Sequence, residues 1–534
     1  MRVAAGNDRP GARTMARSGL IVFTTVGASR LLGWVRLLVI VAIFGATSEL
    51  DAYFAAFRVP DAAFGLLGAG VVGAALVPTV SGLIARGEEP RAWKTISSAL
   101  GLMVVSVALL AALLAIAAPT VVPLLVPGFD PQATDLTVHL SRSMLLAPVL
   151  LAASAILGAT LHVHGRFAVA GLAPIAYNAC IIAAAVLLSP TLGVMALALG
   201  VVGGAATHLI LQLVAVRRIP EARVRPSLDR HDPAVRRMLS LLGPRIVGIE
   251  AGQLLGIVAV AIASGYGPGV IVAYTLAFAA LQVPLGLIGT PVSVVTFPAL
   301  SRSAADDDGS AFRHLVGRAV DLVLFVALPL ALVGIALREW VVLTAFSWGG
   351  MSEGALATTS GLLAVFLVGL TAHCLNLILS RAFYALEDTR TPVAVTLVQV
   401  AVGIIVTILA SGLIGPVGLA VGTASAAWLK SAVLFFLLTR RMGGPPVALV
   451  VRHALTALGA GSAAAAAGVA VVLLAPPASP ELAKLEQLVW LVCATAAATA
   501  TYALISGRVQ GEQLSRVVAL IRTVVGRAPR TAAR

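Results

Sequence analysis

Four charged side chains interrupt an otherwise apolar stretch, residues 29–78, and they are the residues of this chain best suited to binding chemistry. They are Arg30, Arg36, Asp51 and Arg58. A charge at the centre of a membrane helix costs roughly 2.5–3.5 kcal/mol on insertion scales, so such charges usually face a bundle interior or a watery cavity. The arginine guanidinium presents a planar fork of donors that matches phosphate. The stretch therefore predicts a cationic cavity for a phosphate-bearing substrate, with these four residues as its candidate ligands.

The two arginines of the first apolar segment carry most of this prediction. Arg30 lies about 18 Å along the segment at 1.5 Å per residue, too deep for its side chain to reach the membrane surface. Arg36 lies about 120° around the helix from Arg30, and Gly33 between them allows a bend or close packing, so that both can reach one cavity. The alternative for Arg30 is an ion pair with a structural acid, either Asp51 or Glu250.

Asp51 and Arg58 are two helical turns apart and share one face of the next segment. Asp51 has two interpretations. It either orients the arginines for binding, or it serves the start of its own helix, where an acid caps the chain and complements the helix dipole.

The composition identifies the class of protein that must position these charges. Of 534 residues, 59% are hydrophobic and 11% charged, against roughly 45–50% apolar usage in soluble proteins. Apolar runs of about 20 residues recur, long enough to span roughly 30 Å of hydrocarbon, and they do not alternate as barrel strands do. We therefore predict an all-α polytopic membrane protein with about fourteen transmembrane helices. The predicted spans are 18–45, 51–85, 92–119, 134–162, 168–189, 192–216, 236–264, 269–302, 310–337, 354–386, 391–413, 416–439, 453–475 and 483–506.

The basic residues of the chain lie in alternate loops between these spans. The net charge of +14 therefore reflects the positive-inside rule and does not indicate a nucleic-acid partner. The rule places both termini in the cytoplasm. The first apolar segment is too long for a signal peptide and is expected to be a retained helix.

Internal similarity predicts how the spans are grouped. Short motifs around Tyr53, Pro78 and Ile156 recur around Tyr274, Pro298 and Ile378, always about 220 residues later, as expected after duplication. Six spans separate the copies, so the repeats are parallel, and transporters often bind substrate between such repeats. The predicted organisation is a basic cytoplasmic N-terminus (1–17), a six-helix N-lobe (18–216), a cytoplasmic linker (217–235), a six-helix C-lobe (236–439), two C-terminal helices (440–506) and a basic cytoplasmic tail (507–534).

Enzyme and metal motifs are weak or missing. None of the three lysines follows a glycine-rich turn, which argues against an ATP-binding loop, and the three cysteines have no metal-ligand spacing. His162-x-His164 has no further ligands nearby, and the acidic run 306–308 lies in a predicted turn next to glycine and serine. We expect neither a metal nor a cofactor.

Seven short motifs along the chain form a combined pattern that is specific. They are Ser29-Arg30-x-x-Gly33-x-x-Arg36, Phe44-Gly45-Ala46, Asp51-Ala52-x-Phe54-x-x-Phe57-Arg58-x-Pro60, Arg166-Phe167, Gly243-Pro244, Phe297-Pro298-x-Leu300-Ser301 and Asp388-Thr389-Arg390-Thr391-Pro392. In these motifs the chain resembles the MurJ (MviN) lipid II flippases of the multidrug/oligosaccharidyl-lipid/polysaccharide exporter superfamily. The resemblance implies fourteen helices, two six-helix lobes, a central cationic cavity, and export of lipid II, an undecaprenyl-diphosphate-linked peptidoglycan precursor, to the outer leaflet. We therefore expect a location in a bacterial inner membrane and partners among cell-wall synthesis or division proteins.

This chain departs from the family pattern at several charged positions. Arg30, Arg36 and Asp51 match functional positions of the family. Leu37 stands where the family usually has an acid, and the position of an essential arginine of the family falls near Ala279. The leading hypothesis is a flippase for lipid II that works by alternating access. The alternatives are a flippase for another polyprenyl-linked glycan, an antiporter of the same superfamily, and a non-transporting cell-wall scaffold.

Overall fold

The described part of the chain is mostly helical. The computed structural model describes residues 12–67, 76–220, 222–230, 232, 235–236, 242–304, 309–442, 447–509, 511, 513 and 515. Within these ranges there is no β-strand. The predicted all-α class is therefore confirmed.

Eighteen α-helices follow one another along the described residues. They are α1 (Ala12–Phe44), α2 (Ser48–Leu67), α3 (Val77–Ala85), α4 (Glu89–Leu125), α5 (Pro131–Met144), α6 (Leu146–Val163), α7 (Phe167–Leu192), α8 (Met195–Arg217), α9 (Leu242–Ala263), α10 (Val270–Pro284), α11 (Thr290–Ser303), α12 (Ser310–Ala336), α13 (Arg338–Phe346), α14 (Glu353–Ala385), α15 (Arg390–Ile414), α16 (Gly418–Met442), α17 (Val447–Val472) and α18 (Lys484–Val509).

Among the described residues, 11 helical segments are long and apolar enough to cross a membrane. One of them, Arg390–Met442, contains both α15 and α16, which a short 3₁₀ turn at Gly415–Val417 divides. The second and seventh predicted spans include residues outside the described ranges, at 68–75 and 237–241. The observed helices therefore fit the fourteen predicted spans.

The proline-rich stretch 119–133, expected to be a loop, is mostly helical. Helix α4 continues to Leu125 with Pro119 and Pro123 inside it. Helix α5 then begins at Pro131, with the Asp130 carboxylate accepting a hydrogen bond from the Ala133 N–H at 2.7 Å. Membrane helices tolerate proline, and proline also suits the first turn of a helix, where its missing N–H is not needed. Only residues 126–130 between the two helices are non-helical, so the predicted loop is shorter than expected.

The chain forms two compact units. The first contains residues 1–271 and 348–350, and the second contains residues 272–347 and 351–534. Helix α9 packs on α2 and α4 and so belongs to the first unit. The functional lobes proposed from the repeats, with their boundary at 217–235, stay a prediction.

Helices α3, α4, α6 and α8 enclose an apolar core in the first unit. Its fully buried members include Ile96, Ile156, Leu161 and Val216. Arg166 fastens one end of this core, because its guanidinium donates to the Ala215 carbonyl at 3.1 Å and to the Arg218 carbonyl at 3.0 Å. The loop after α6 is thereby tied to the end of α8.

Hydrogen bonds between helices hold the second unit together. The Asn376 amide on α14 donates to the Ala427 carbonyl on α16 at 3.0 Å. It also accepts from the Ser431 hydroxyl at 2.9 Å. Polar side chains are a common means of joining helices in lipid, where apolar contact alone provides little driving force.

Asp388 joins the beginning of α15 to the end of α16. Its carboxylate accepts hydrogen bonds from the Thr391 N–H at 3.0 Å, the Thr391 hydroxyl at 2.7 Å and the Arg441 guanidinium at 2.7 Å. The backbone N–H of Thr391 is the largest cause of a lowered pKa of Asp388, and Arg441 adds to it. The charged carboxylate is therefore the form that the folded loop stabilises.

The Asp388→Asn variant should unfold at a lower temperature than the parent at neutral pH. Since the folded pKa lies below the unfolded one, the stabilising contribution is complete above about pH 3.9 and is lost as the pH falls through the folded pKa. The difference between parent and variant should stay constant on acidification to about pH 4 and then shrink. Thermal unfolding of both proteins in detergent across this range checks this, and a difference that grows on acidification would contradict it.

Gly422 allows α15 and α16 to approach each other closely. A Cβ at this position would collide with the Thr407 hydroxyl and lie 2.7 Å from the Gly403 carbonyl oxygen. Gly422→Leu should lower the free energy of unfolding by about 1–3 kcal/mol or more, since backbone must move to accept the side chain. Thermal unfolding in detergent measures the effect. The matched control is Gly459→Leu on α17, where a Cβ meets nothing within 4 Å; an equal loss in both variants would refute the assignment.

Candidate functional site

Arg36 is half-buried in the first unit beside two tyrosines from neighbouring helices. Its charge acts on the phenol of Tyr53 on α2 and on that of Tyr177 on α7. The carboxylate of Asp61, also on α2, acts on the same two phenols. Helices α1, α2 and α7 therefore bring one cation, one anion and two hydroxyls into the same region of the unit.

Gly33 lies between the two predicted arginines and packs against α7. A Cβ on Gly33 would lie 4.0 Å from the Asn178 Oδ1 atom. This distance is an ordinary van der Waals contact, so α7 leaves room for a Cβ at Gly33. Helix α1 is continuous through this point, and the two roles predicted for Gly33, a bend or close packing, stay predictions.

Arg30 and Arg58 occupy different environments. Arg30 is exposed on α1, whereas Arg58 is half-buried on α2 with its guanidinium 3.7 Å from the place that a Cβ on Gly256 of α9 would take. Within the described ranges, none of Arg30, Arg36 and Arg58 forms an ion pair with a carboxylate.

Asp51 is buried, with 1% of its surface exposed, and its Oδ2 atom accepts a hydrogen bond from the Gly269 N–H at 2.5 Å. It does not pair with Arg30, and the Glu250 side chain, the other predicted partner, lies outside the described residues. Thr47 provides the cap of α2, accepting from the Leu50 N–H at 3.4 Å. Asp51 thus joins the first turn of α2 to the start of α10, and its predicted role in orienting the arginines stays a prediction.

Three polar groups of this region were not among the predicted site residues: Asp61, Tyr53 and Tyr177. Asp61 had a visible signal, because it lies in the same apolar stretch, three residues after Arg58. Tyr177 had none, since it lies 141 positions from Arg36 in sequence and only helix packing brings the two together. Tyrosine is also common in membrane proteins as an interfacial residue, so its type alone is not informative.

His162 and His164, the two histidines considered as metal ligands, each stack on an aromatic ring. His162 stacks on Phe167 and His164 stacks on Trp93, with ring centroids 5.6 and 5.3 Å apart, so each imidazole has an aromatic partner. The acidic run 306–308 lies outside the described residues. Among the residues that the structure covers, no group of three His, Cys, Asp or Glu side chains could hold a metal ion.

The fold is that of the multidrug/oligosaccharidyl-lipid/polysaccharide exporters. A solved structure described as lipid II flippase MurJ in an inward closed conformation matches with a TM-score of 0.76 and 20% identity, covering 92% of this chain and 99% of that one. A multidrug resistance MATE family transporter of the same superfamily, in an inward-facing conformation, matches with a TM-score of 0.65 and 12% identity, covering 79% and 98%. The two solved structures therefore share the polytopic helical fold of this chain.

Sequence comparison identifies the family within this superfamily. The family model "Lipid II flippase MurJ" matches residues 40–484. The chain is 28% identical over 434 residues to a probable lipid II flippase MurJ of Vibrio cholerae, covering 79% of this chain and 82% of that protein. It is 27% identical over 425 residues to a lipid II flippase MurJ of Burkholderia cenocepacia, covering 77% and 81%. The chain belongs to the MurJ family, as its motifs indicated.

Asp51→Ala should destabilise the protein. The substitution leaves the buried Gly269 N–H without its acceptor, at a cost of about 1–3 kcal/mol, whereas Asp51→Asn keeps an oxygen that can accept the bond. The measurement is thermal unfolding of both variants in detergent beside the parent. If Asp51→Ala and Asp51→Asn unfold at the parent's temperature, the hydrogen bond to Gly269 does not support the fold.

Proposed function

We propose that this protein moves lipid II from the cytoplasmic to the outer leaflet of a bacterial inner membrane by alternating access. The observation that carries the proposal is the family match over residues 40–484. The unneutralised arginines of α1 and α2 support it, because the cargo of a lipid II flippase carries a diphosphate. The protein is on this proposal a transporter and not an enzyme.

Arg30 and Arg36 are the proposed ligands of the diphosphate, with Arg58 as a third cation in the same unit. A guanidinium binds phosphate oxygens through two parallel charge-assisted hydrogen bonds, which are roughly twice as strong as neutral ones. Low dielectric surroundings strengthen this attraction further. The hydroxyls of Tyr53 and Tyr177, close to Arg36, are suited to donate to the sugar or diphosphate oxygens.

The reduced set of charges constrains how the cargo is held. Leu37 and Ala279 offer no charge where the family pattern has an acid and an arginine, respectively. A site with fewer cations than the family pattern costs less free energy to bury when it is empty. It also forms fewer contacts with the cargo, so fewer contacts break when the cargo is released. Arg36, half-buried beside Asp61 and the tyrosines, is in this proposal the central contact, and Arg30, exposed on α1, is the first to meet the diphosphate.

The proposed orientation places both termini in the cytoplasm, supported by the alternation of basic loops. A membrane potential that is negative inside then favours outward movement of an anionic cargo, by about 2.3 kcal/mol per charge per 100 mV. This potential is a sufficient driving force in principle, and coupling to an ion is the alternative. Association with cell-wall synthesis or division proteins stays a prediction.

Arg36→Ala and Arg30→Ala should each impair rescue of a bacterial strain depleted of its own lipid II flippase. Loss of charge-assisted hydrogen bonds worth about 1.5–3 kcal/mol lowers binding of the diphosphate about tenfold or more. Rescue is scored as viable count after depletion, at membrane levels matched by immunoblot. Purified protein in lipid vesicles, assayed for arrival of labelled lipid II in the outer leaflet, gives the direct readout.

The matched control is Arg302→Ala, an exposed arginine at the end of α11. It removes the same charge from the chain without touching α1 or α2 and should rescue like the parent. Failure of a well-inserted parent, in cells and in vesicles, would overturn lipid II as the cargo. Rescue by both α1 variants would remove these arginines from the transport mechanism.

A further inference from the structure

Apolar and basic side chains also line one cavity in the first unit, away from the arginines of α1 and α2. A cavity of about 910 Å³ lies among α4, α6 and α8. Its walls are apolar, and they include Leu100, Val104, Leu157, Leu209 and Leu213. Binding cavities in proteins typically measure about 300–1,000 Å³, so this one has room for a substantial apolar group.

The cavity reaches the outer surface of the unit. Val105, one of its lining residues, is 41% exposed on the side of α4. Helix α4 is one of the segments long and apolar enough to cross the membrane. An acyl chain can therefore enter from the surrounding lipid without crossing water.

Three arginines line the cavity where α8 ends: Arg217 in the last turn of the helix, and Arg223 and Arg225 in the segment that follows. All three are exposed. Within the described part of the chain, none of them forms an ion pair with a carboxylate. Their combined charge is available to an anion at the mouth of an apolar cavity.

The segment that carries Arg223 and Arg225 is fastened to α4. Ser97 accepts a hydrogen bond from the Ser227 N–H through its carbonyl and one from the Arg225 N–H through its hydroxyl, both at 3.1 Å. Gly101 leaves room for this approach, because a Cβ there would collide with the backbone of Ser227. The arginines consequently project from a backbone whose position is set by the fold.

Two acids of this segment contact α4. Asp229 pairs with Lys94 at 3.0 Å, and Asp232 accepts a hydrogen bond from the Thr95 hydroxyl at 3.4 Å. Lys94 and the three arginines together outnumber these two acids, so the net charge at this end of the cavity is positive.

We propose that this cavity is a binding site for an acidic phospholipid of the adjoining leaflet. One acyl chain occupies the space between α4, α6 and α8, and the phosphate contacts Arg217, Arg223 and Arg225. Basic pockets between membrane helices are suited to anionic headgroups, and each basic residue near an anionic lipid surface contributes appreciably to binding. The bound lipid would hold the segment after α8 against α4, at a place separate from the proposed transport arginines.

The test is native mass spectrometry of the full-length protein in detergent, titrated with phosphatidylglycerol or with phosphatidylcholine of the same acyl chains. The parent should retain phosphatidylglycerol preferentially. The variant R217Q/R223Q/R225Q should bind it about a hundredfold more weakly, given a loss of about fivefold for each of three arginines. The matched control R302Q/R318Q/R390Q removes three exposed arginines of the second unit and should bind like the parent.

A second variant tests the apolar part of the site. Val104→Trp fills the cavity and should weaken phosphatidylglycerol binding while all three arginines remain. Excess inorganic phosphate should compete poorly, because it has no acyl chain. Equal binding of the two lipids by the parent, equal loss in both triple variants, or full competition by phosphate would overturn the proposal.

The result is independent of the transport assay. Arg30→Ala should retain phosphatidylglycerol as the parent does, even where it fails to rescue. A wrong assignment of the cargo therefore leaves the lipid measurement unaffected. Retention of phosphatidylglycerol by Arg30→Ala at one tenth of the parent's level would instead place the lipid on the α1 arginines and overturn the cavity assignment.

Discussion

The cost of placing a charge in lipid governs this structure. An arginine in a membrane helix is tolerated where it meets water, a partner or an anion. In the described part of the chain, Arg30, Arg36 and Arg58 form no ion pair with a carboxylate. The charges of Arg36 and Asp61 both act on the phenols of Tyr53 and Tyr177, so this region combines one cation, one anion and two hydroxyls.

Acids are used differently from arginines in the first unit. The Asp51 carboxylate is buried and accepts a hydrogen bond from a backbone N–H of a residue far along the chain. Asp229 pairs with Lys94 beside the cavity of the first unit. Both of these acids therefore form contacts with protein groups other than the arginines of α1 and α2. An anion-binding site requires arginines, and it also requires that nearby carboxylates form their contacts with other groups.

Close packing of small residues provides the remaining stability. Without a hydrophobic driving force between helices in lipid, contacts depend on close backbone approach and on interhelical hydrogen bonds. In the second unit, Gly422 allows a close backbone approach and Asn376 forms an interhelical hydrogen bond. The same close approach at Gly101 in the first unit positions the segment after α8 and, with it, the proposed lipid site.

The sequence by itself determined the class of protein, the approximate spans, the family and the arginines of α1 and α2. Hydropathy and charge can be read from each segment by itself, and the thickness of the bilayer sets a similar length for every spanning helix. Local composition is therefore sufficient to predict the spans. Only the tertiary structure decided that Asp51 bonds to Gly269, that Tyr177 lies near Arg36, and that a cavity opens beside Arg217. Each of these depends on which helices become neighbours. Residues distant in sequence come together only through the packing of whole helices, which no local pattern specifies.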